Sequence, residues 1–212
     1  MTSDQALRHP PVAGLLLAAG GGLRLGGRPK ALLRHDGALL VERAARALRD
    51  AGCTPVHVVL GAGIEEVHRH AGLSGFVLVD NPGWAEGMGS SLRAGLQSLS
   101  GTDARGALVS LVDQPGIGPE AHARVLAAYT DETSLVSAAY DGRRGHPVLL
   151  GAAHWPGVAE SARGDRGARD YLRRHSALIR LVECGDVAEP YDIDTGADLG
   201  RLREGPGTGG AH

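Results

Sequence analysis

The chain predicts an α/β protein, a three-layer α/β/α sandwich with a mostly parallel sheet. Three observations lead there. Short apolar runs of strand length alternate with amphipathic stretches of helix length along most of the 212 residues. A glycine-rich turn at residues 20–27 follows the first apolar run directly. No internal repeat or interior linker breaks the alternation. This leaves one domain over residues 11–203, with 1–10 and 204–212 as flexible tails.

The elements follow in order. The run at 12–18 is continuously apolar, as a parallel strand covered on both faces must be. Runs at 55–60, 76–79, 107–112, 135–139 and 178–182 read as further strands. The helix at 39–51 is the clearest: Val41, Ala44, Ala45 and Leu48 share a face, Arg49 lies in the last turn and Gly52 stops it. Similar spacing predicts helices at 64–71, 91–99, 119–129, 168–175 and 197–202. Open parallel sheets bind ligands outside the carboxyl ends of their strands, so the loops that follow strands are where a site belongs.

Composition limits what such a site can serve. A net charge of −2 argues against a non-specific hold on nucleic acid or an anionic membrane, so an anionic ligand needs a local site. With one Phe, two Trp and four Tyr, the core falls to Ala, Val and Leu and offers no stacking platform for nucleic acid bases. Cys53 and Cys184 are too few for a disulfide framework. No apolar run approaches membrane-spanning length and no leader pattern opens the chain, so the expected location is cytoplasmic.

In the first loop, Gly20, Gly21, Gly22, Gly26 and Gly27 leave backbone amides free to approach an anion. Arg24 and Lys30 add positive charge, and together these groups make a cradle for a polyphosphate. Lys30 is the single lysine of the chain, every other basic residue being arginine, which singles out a compact point charge at the loop's end. The loop is not a P-loop, because Lys30 lies between Pro29 and Ala31. Nor is it a dinucleotide fingerprint starting at Gly20, which would require glycine where Leu25 stands.

Two acidic positions complement the cradle. Asp113 ends an apolar strand, so its carboxylate faces the expected cleft. Asp194 belongs to Asp192-Ile193-Asp194-Thr195, and magnesium takes one or two carboxylates plus phosphate oxygens. Asp113 with Asp194 meets that demand, with Asp192 in reserve; a turn residue and a helix cap are the plainer readings. The stretch 81–96 opens as a loop and becomes a helix whose N-cap is expected at Ser90 or Ser91. Free amides there suit an anion or a base carbonyl, and ordinary capping with Trp84 packed on the surface fits equally. Arg143, Arg144 and His146 read as a charged site or as a solvated turn. His68 and His70, two apart on a helix, face different directions and do not chelate one metal.

Leu17-Ala18-Ala19-Gly20, followed by Arg24, Gly26 and Lys30, resembles the LAAGxSxRxG…K signature of the MobA-like nucleotidyltransferases. Gly22 departs from it, standing where the family usually has Ser, so one hydroxyl contact to phosphate is missing. The wording of 81–96 resembles the MocA type, the cytidylyltransferase branch that acts on the molybdenum cofactor. So do Gly145-His146-Pro147 and Gly164-Asp165-Arg166-Gly167-Ala168-Arg169, and the likeness runs from residue 14 to 199.

The resemblance implies a Rossmann-like nucleotidyltransferase fold and transfer of CMP from CTP to molybdopterin, with release of pyrophosphate and with Mg2+ as cofactor. Arg24, Lys30 and Asp113 would be catalytic. Ala18, Ala19, Gly20, Gly21, Gly22, Ser90 and Ser91 would join them around the nucleotide. Asp113 and Asp194 would hold the metal, and Arg143, Arg144 and His146 would face the acceptor. Transient contact with a molybdoenzyme or its chaperone is the implied partnership. GMP transfer, another phosphorylated acceptor, and a non-catalytic regulatory or chaperone module are the alternatives.

Overall fold

The computed structural model describes residues 11–202, so the expected tails at 1–10 and 204–212 lie outside the described residues. A seven-stranded sheet runs through it. Its strands are β1 (Val12–Ala18), β4 (Val56–Leu60), β5 (Val77–Asp80), β6 (Gly106–Leu111), β7 (Leu135–Tyr140), β8 (Arg143–Gly151) and β9 (Arg180–Glu183). Their order across the sheet is β5-β4-β1-β6-β8-β7-β9. A two-stranded hairpin, β2 (Arg34–His35) with β3 (Ala38–Leu39), stands apart. The helices are α1 (Leu40–Asp50), α2 (Ile64–His70), α3 (Met88–Ser98), α4 (Pro119–Leu126), α5 (Trp155–Ser161) and α6 (Arg169–Arg174).

Strand periodicity builds the three layers. Val12, Leu16 and Ala18 of β1 face α1, α2 and α4, where Val41, Leu48, Val67, Ala121 and Val125 are buried against them. Ala13, Leu15 and Leu17 face the other way, onto Leu92 and Leu96 of α3, Val158 of α5 and Tyr171 of α6. All seven residues of β1 are buried, which is why the run reads as unbroken apolar sequence. Among the described residues no helix is long and apolar enough to cross a membrane.

Four expectations are corrected. Strand β8 is absent from the reading because it opens on Arg143-Arg144-Gly145-His146-Pro147; it runs antiparallel to both β6 and β7, the one reversed strand of the seven. Helix α5 is absent because Pro156 and Gly157 in its first turn are poor helix formers. Helix α3 begins at Met88 on Gly87, so Ser90 and Ser91 lie inside it and neither is the N-cap. The final segment closes as a 3-10 turn, Asp198–Leu202, in place of an α-helix.

Candidate active site

A cleft of about 1250 Å³ opens at the carboxyl edge of the parallel strands, where the sequence placed the site. The glycine loop forms one wall. Gly22 sits at φ +58, and a β-carbon there would meet the Arg28 carbonyl oxygen at 2.0 Å. The serine that the resemblance would put at this position therefore has no room in this loop. Leu25 and Gly27 both donate their amides to the Gly22 oxygen, and Lys30 donates its amide to the Gly20 oxygen at 3.3 Å, which folds the loop back on itself. Buried Leu25 and Ala31 anchor it to the core, while Arg24 stays exposed at the mouth. Ala19 lines the cleft with Gly20, Gly21 and Gly22, whereas Ala18, almost fully buried, belongs to the core.

Lys30 is the centre of the site. Its Nζ donates to Asp113 Oδ2 at 2.6 Å and to Asp194 Oδ1 at 2.5 Å. Two distant chain segments meet there because the Ile193 amide donates to the Asp113 carbonyl at 2.9 Å and the Ile193 side chain is fully buried. Asp194 is thereby set beside Asp113. The local turn is closed instead by Asp198, which accepts the amides of Asp194 and Thr195. The side chain of Asp192 accepts from Gln114 Nε2 at 2.8 Å. Two carboxylates thus share one ammonium, and Asp192 is held apart from it by Gln114. Burial opposes the charge on Lys30, but Asp113 and Asp194 more than offset it and its pKa is raised. Burial also raises the pKa of Asp113; Lys30 pulls it down, while Asp192 and Asp194 push it further up.

This arrangement fits a divalent cation. Two hard anionic oxygens already converge on one positive centre, the donor chemistry that magnesium or manganese takes. Among the described residues there is no group of three or more His, Cys, Asp or Glu side chains placed to hold a metal. Asp113 and Asp194 would therefore supply the protein's share of the ligands.

The middle segment is tied by Asn81, a buried residue whose place at the head of the 81–96 stretch carries no sign of this role in the sequence. Its Nδ2 donates to Ser90 Oγ at 2.9 Å and to Ser91 Oγ at 3.1 Å. Ser90 in turn donates to the carbonyls of Gly83 and Gly87. Ser91 lines the cleft, and Ser90 is spent on holding the loop.

On the far wall, Arg143, Arg144 and His146 lie at the start of β8. Because this strand is reversed, its beginning reaches the same edge as the ends of its neighbours. A bulge follows, with Ala138 opposite Gly145 and Ser137 opposite Val148, and this sets His146 and Pro147 out of the ladder. Arg143 and Arg144 are exposed at the cleft. Burial pushes His146 down to about 4, against a smaller upward pull from Asp192, so the imidazole is neutral near pH 7. Tyr140, Arg166 and Arg169 also line this wall. The two arginines stood in the Gly164–Arg169 motif, and Asp141-Gly142, with φ of 52 and 73, was the hairpin signal that would have located β8.

Comparison with known proteins gives the family. The family described as the MobA-like NTP transferase domain matches residues 14–178. The chain is 41% identical over 200 residues to nicotine blue oxidoreductase of Paenarthrobacter nicotinovorans, covering 91% of this chain and 97% of that one. Among solved structures it is similar to the homolog of Mycobacterium tuberculosis rv0371c from Mycobacterium sp. strain JC1, with 29% identity and a TM-score of 0.76 over 90% of this chain and 94% of that one. It is also similar to Rv0371C of Mycobacterium tuberculosis H37Rv in complex with manganese, with 25% identity and a TM-score of 0.73 over 91% and 97%. With its fold and most of its length matched, the chain belongs to the MobA-like NTP transferase family.

Proposed function

We propose that the protein transfers CMP from CTP to molybdopterin, releasing pyrophosphate, with magnesium held by Asp113 and Asp194. The observation that carries this reading is Lys30, the last residue of the glycine loop, pinned between those two carboxylates. The site joins a triphosphate cradle to a cation-binding acidic pair. A bound magnesium would neutralise charge on the phosphates.

The chain's own residues do the rest. Amides of residues 20–22 and the Arg24 guanidinium hold the triphosphate, and Lys30 moves its charge from carboxylate to phosphate as the nucleotide enters. Ala19 beside the nucleotide adds a methyl group that crowds a purine, which favours CTP over GTP. Arg143 and Arg144 orient the acceptor's phosphate, and neutral His146 offers it a hydrogen bond rather than a charge. A phosphate monoester, with a second pKa of about 6, is already a nucleophile at neutral pH. Catalysis is then positioning and charge stabilisation, without a strong base.

The 41% identity to nicotine blue oxidoreductase favours a second reading, an oxidation–reduction reaction in the same cleft. Lys30 between two carboxylates suits a metal-bound triphosphate better than hydride transfer. One experiment separates the readings. The protein is incubated with magnesium, molybdopterin and either CTP or GTP, and pyrophosphate and product mass are measured. A parallel arm follows NADPH oxidation with nicotine blue. We expect pyrophosphate and a cytosine dinucleotide product from CTP, and little turnover with GTP. Equal turnover with GTP removes the nucleotide preference, and NADPH consumption without pyrophosphate replaces the transferase reading.

A further inference from the structure

The glycine loop does not stand alone against solvent; an indole is wedged behind it. A β-carbon on Gly21 would lie 2.8 Å from Cζ3 of Trp84 and 3.0 Å from its Cη2. A β-carbon on Gly61, just past β4, would lie 2.5 Å from Cβ of Trp84 and 2.7 Å from its Cγ. The side chain of Trp84 thus fills the space left by two missing side chains, one in the phosphate cradle and one at the next strand's exit. The Ala62 amide donates to the Ala19 carbonyl at 3.1 Å and joins the same two segments through the backbone.

Trp84 is itself held in place. It lies on a 3-10 turn, Trp84–Glu86, closed by the Gly87 amide on the Trp84 carbonyl. Asn81 clamps that loop from both sides, with its Oδ1 accepting from the Gly83 amide and its Nδ2 donating to Ser90 and Ser91. At the segment's far end, Gly87 packs so closely on Gly164 and Asp165 that a β-carbon would lie 2.6 Å from both. The segment therefore spans from the nucleotide wall to the acceptor wall.

We infer that Trp84 is a positioning residue, which sets the triphosphate cradle by packing its indole against Gly21. The inference rests on the nucleotide reading of the glycine loop. Its physical content is a steric one. Gly21 has a φ outside the left-handed region, so alanine is allowed by its backbone and excluded only by the indole. Its other near neighbour, Ala62 Cβ, is at an ordinary 3.5 Å.

The test is a double-mutant cycle on Gly21→Ala and Trp84→Ala, with Trp84→Phe as the conservative variant. Calorimetry measures the affinity for CTP with magnesium, kinetics separate kcat from KM, and thermal melting reports folding. Gly21→Ala and Trp84→Ala should each weaken CTP binding on the order of tenfold to a hundredfold, the scale of a small misplacement of reacting groups. Adding Gly21→Ala to Trp84→Ala should cost nothing further, because the clashing ring is gone. Trp84→Phe should keep most of the affinity. In a Trp155→Phe background, the Trp84 emission should change on CTP addition. Penalties that multiply in the double variant overturn the inference. So do lowered melting temperatures with unchanged affinity, or wild-type binding by Gly21→Ala. If wild-type protein binds no nucleoside triphosphate at all, the reading of the loop falls first and takes the inference with it.

Discussion

In the proposed reaction Lys30 would serve two partners in turn, and that makes its substitution informative. With no nucleotide present its ammonium holds Asp113 and Asp194 together, where a metal ion would also bind. Lys30→Met should therefore tighten Mn2+ binding by the nucleotide-free protein by about tenfold, the order for losing one competing ion pair, while weakening CTP binding. Titration by electron paramagnetic resonance checks this; weaker Mn2+ binding would show that the lysine supports the carboxylates instead of competing. Asp113→Asn should lose on the order of 10² to 10³ in turnover, as for one lost electrostatic contact. Folding should hardly change, because burial already works against the Asp113 charge. Activity and melting temperature, measured together, separate the two effects. Lys30, Asp113 and Asp194 were legible because their types and places, at loop and strand ends, announce chemistry. Trp84, Asn81 and Gln114 were not, since their roles come from what folding sets against them.

Strands and helices were legible where one period ruled. The clear 3.6-residue stripe of α1 and the unbroken apolar run of β1 leave little choice. Strand β8 mixes a polar opening with an apolar end, so no single period describes it, and only the Asp141-Gly142 turn marks its start. Helix α4 carries a different lesson. His122, nearly fully buried, bridges the Gly118 carbonyl at 2.7 Å and Ser110 Oγ of β6 at 2.9 Å, so it docks the helix as a neutral ring. Burial lowers its pKa from 6.5. The unfolded chain therefore binds the proton more readily, and stability should fall as the pH drops below about 6.5. Urea midpoints at pH 7.5 and 5 should differ less for His122→Gln than for wild type. An unchanged difference would assign the acid sensitivity to other groups.

At the scale of the whole molecule, two apolar layers share the same central strand. Leu16 of β1 is fully buried in one and Leu15 in the other. Replacing either with Ala should cost about 2–5 kcal/mol, read from denaturant unfolding. A loss well below 1 kcal/mol would mean that the layer collapses around the gap. The fold class followed from the alternation of elements, while the position of β8 between β6 and β7 did not, because strand order depends on pairing between distant segments. That reversed strand has a further consequence. The glycine loop and Asp113, assigned to the nucleotide, follow the parallel strands β1 and β6, whereas Arg143, Arg144 and His146 arrive on a hairpin inserted from the other direction. In the proposed reaction the two substrates would thus be read by separate pieces of one scaffold. Exchanging that hairpin alone would then alter what is modified while keeping the machinery that supplies the nucleotide.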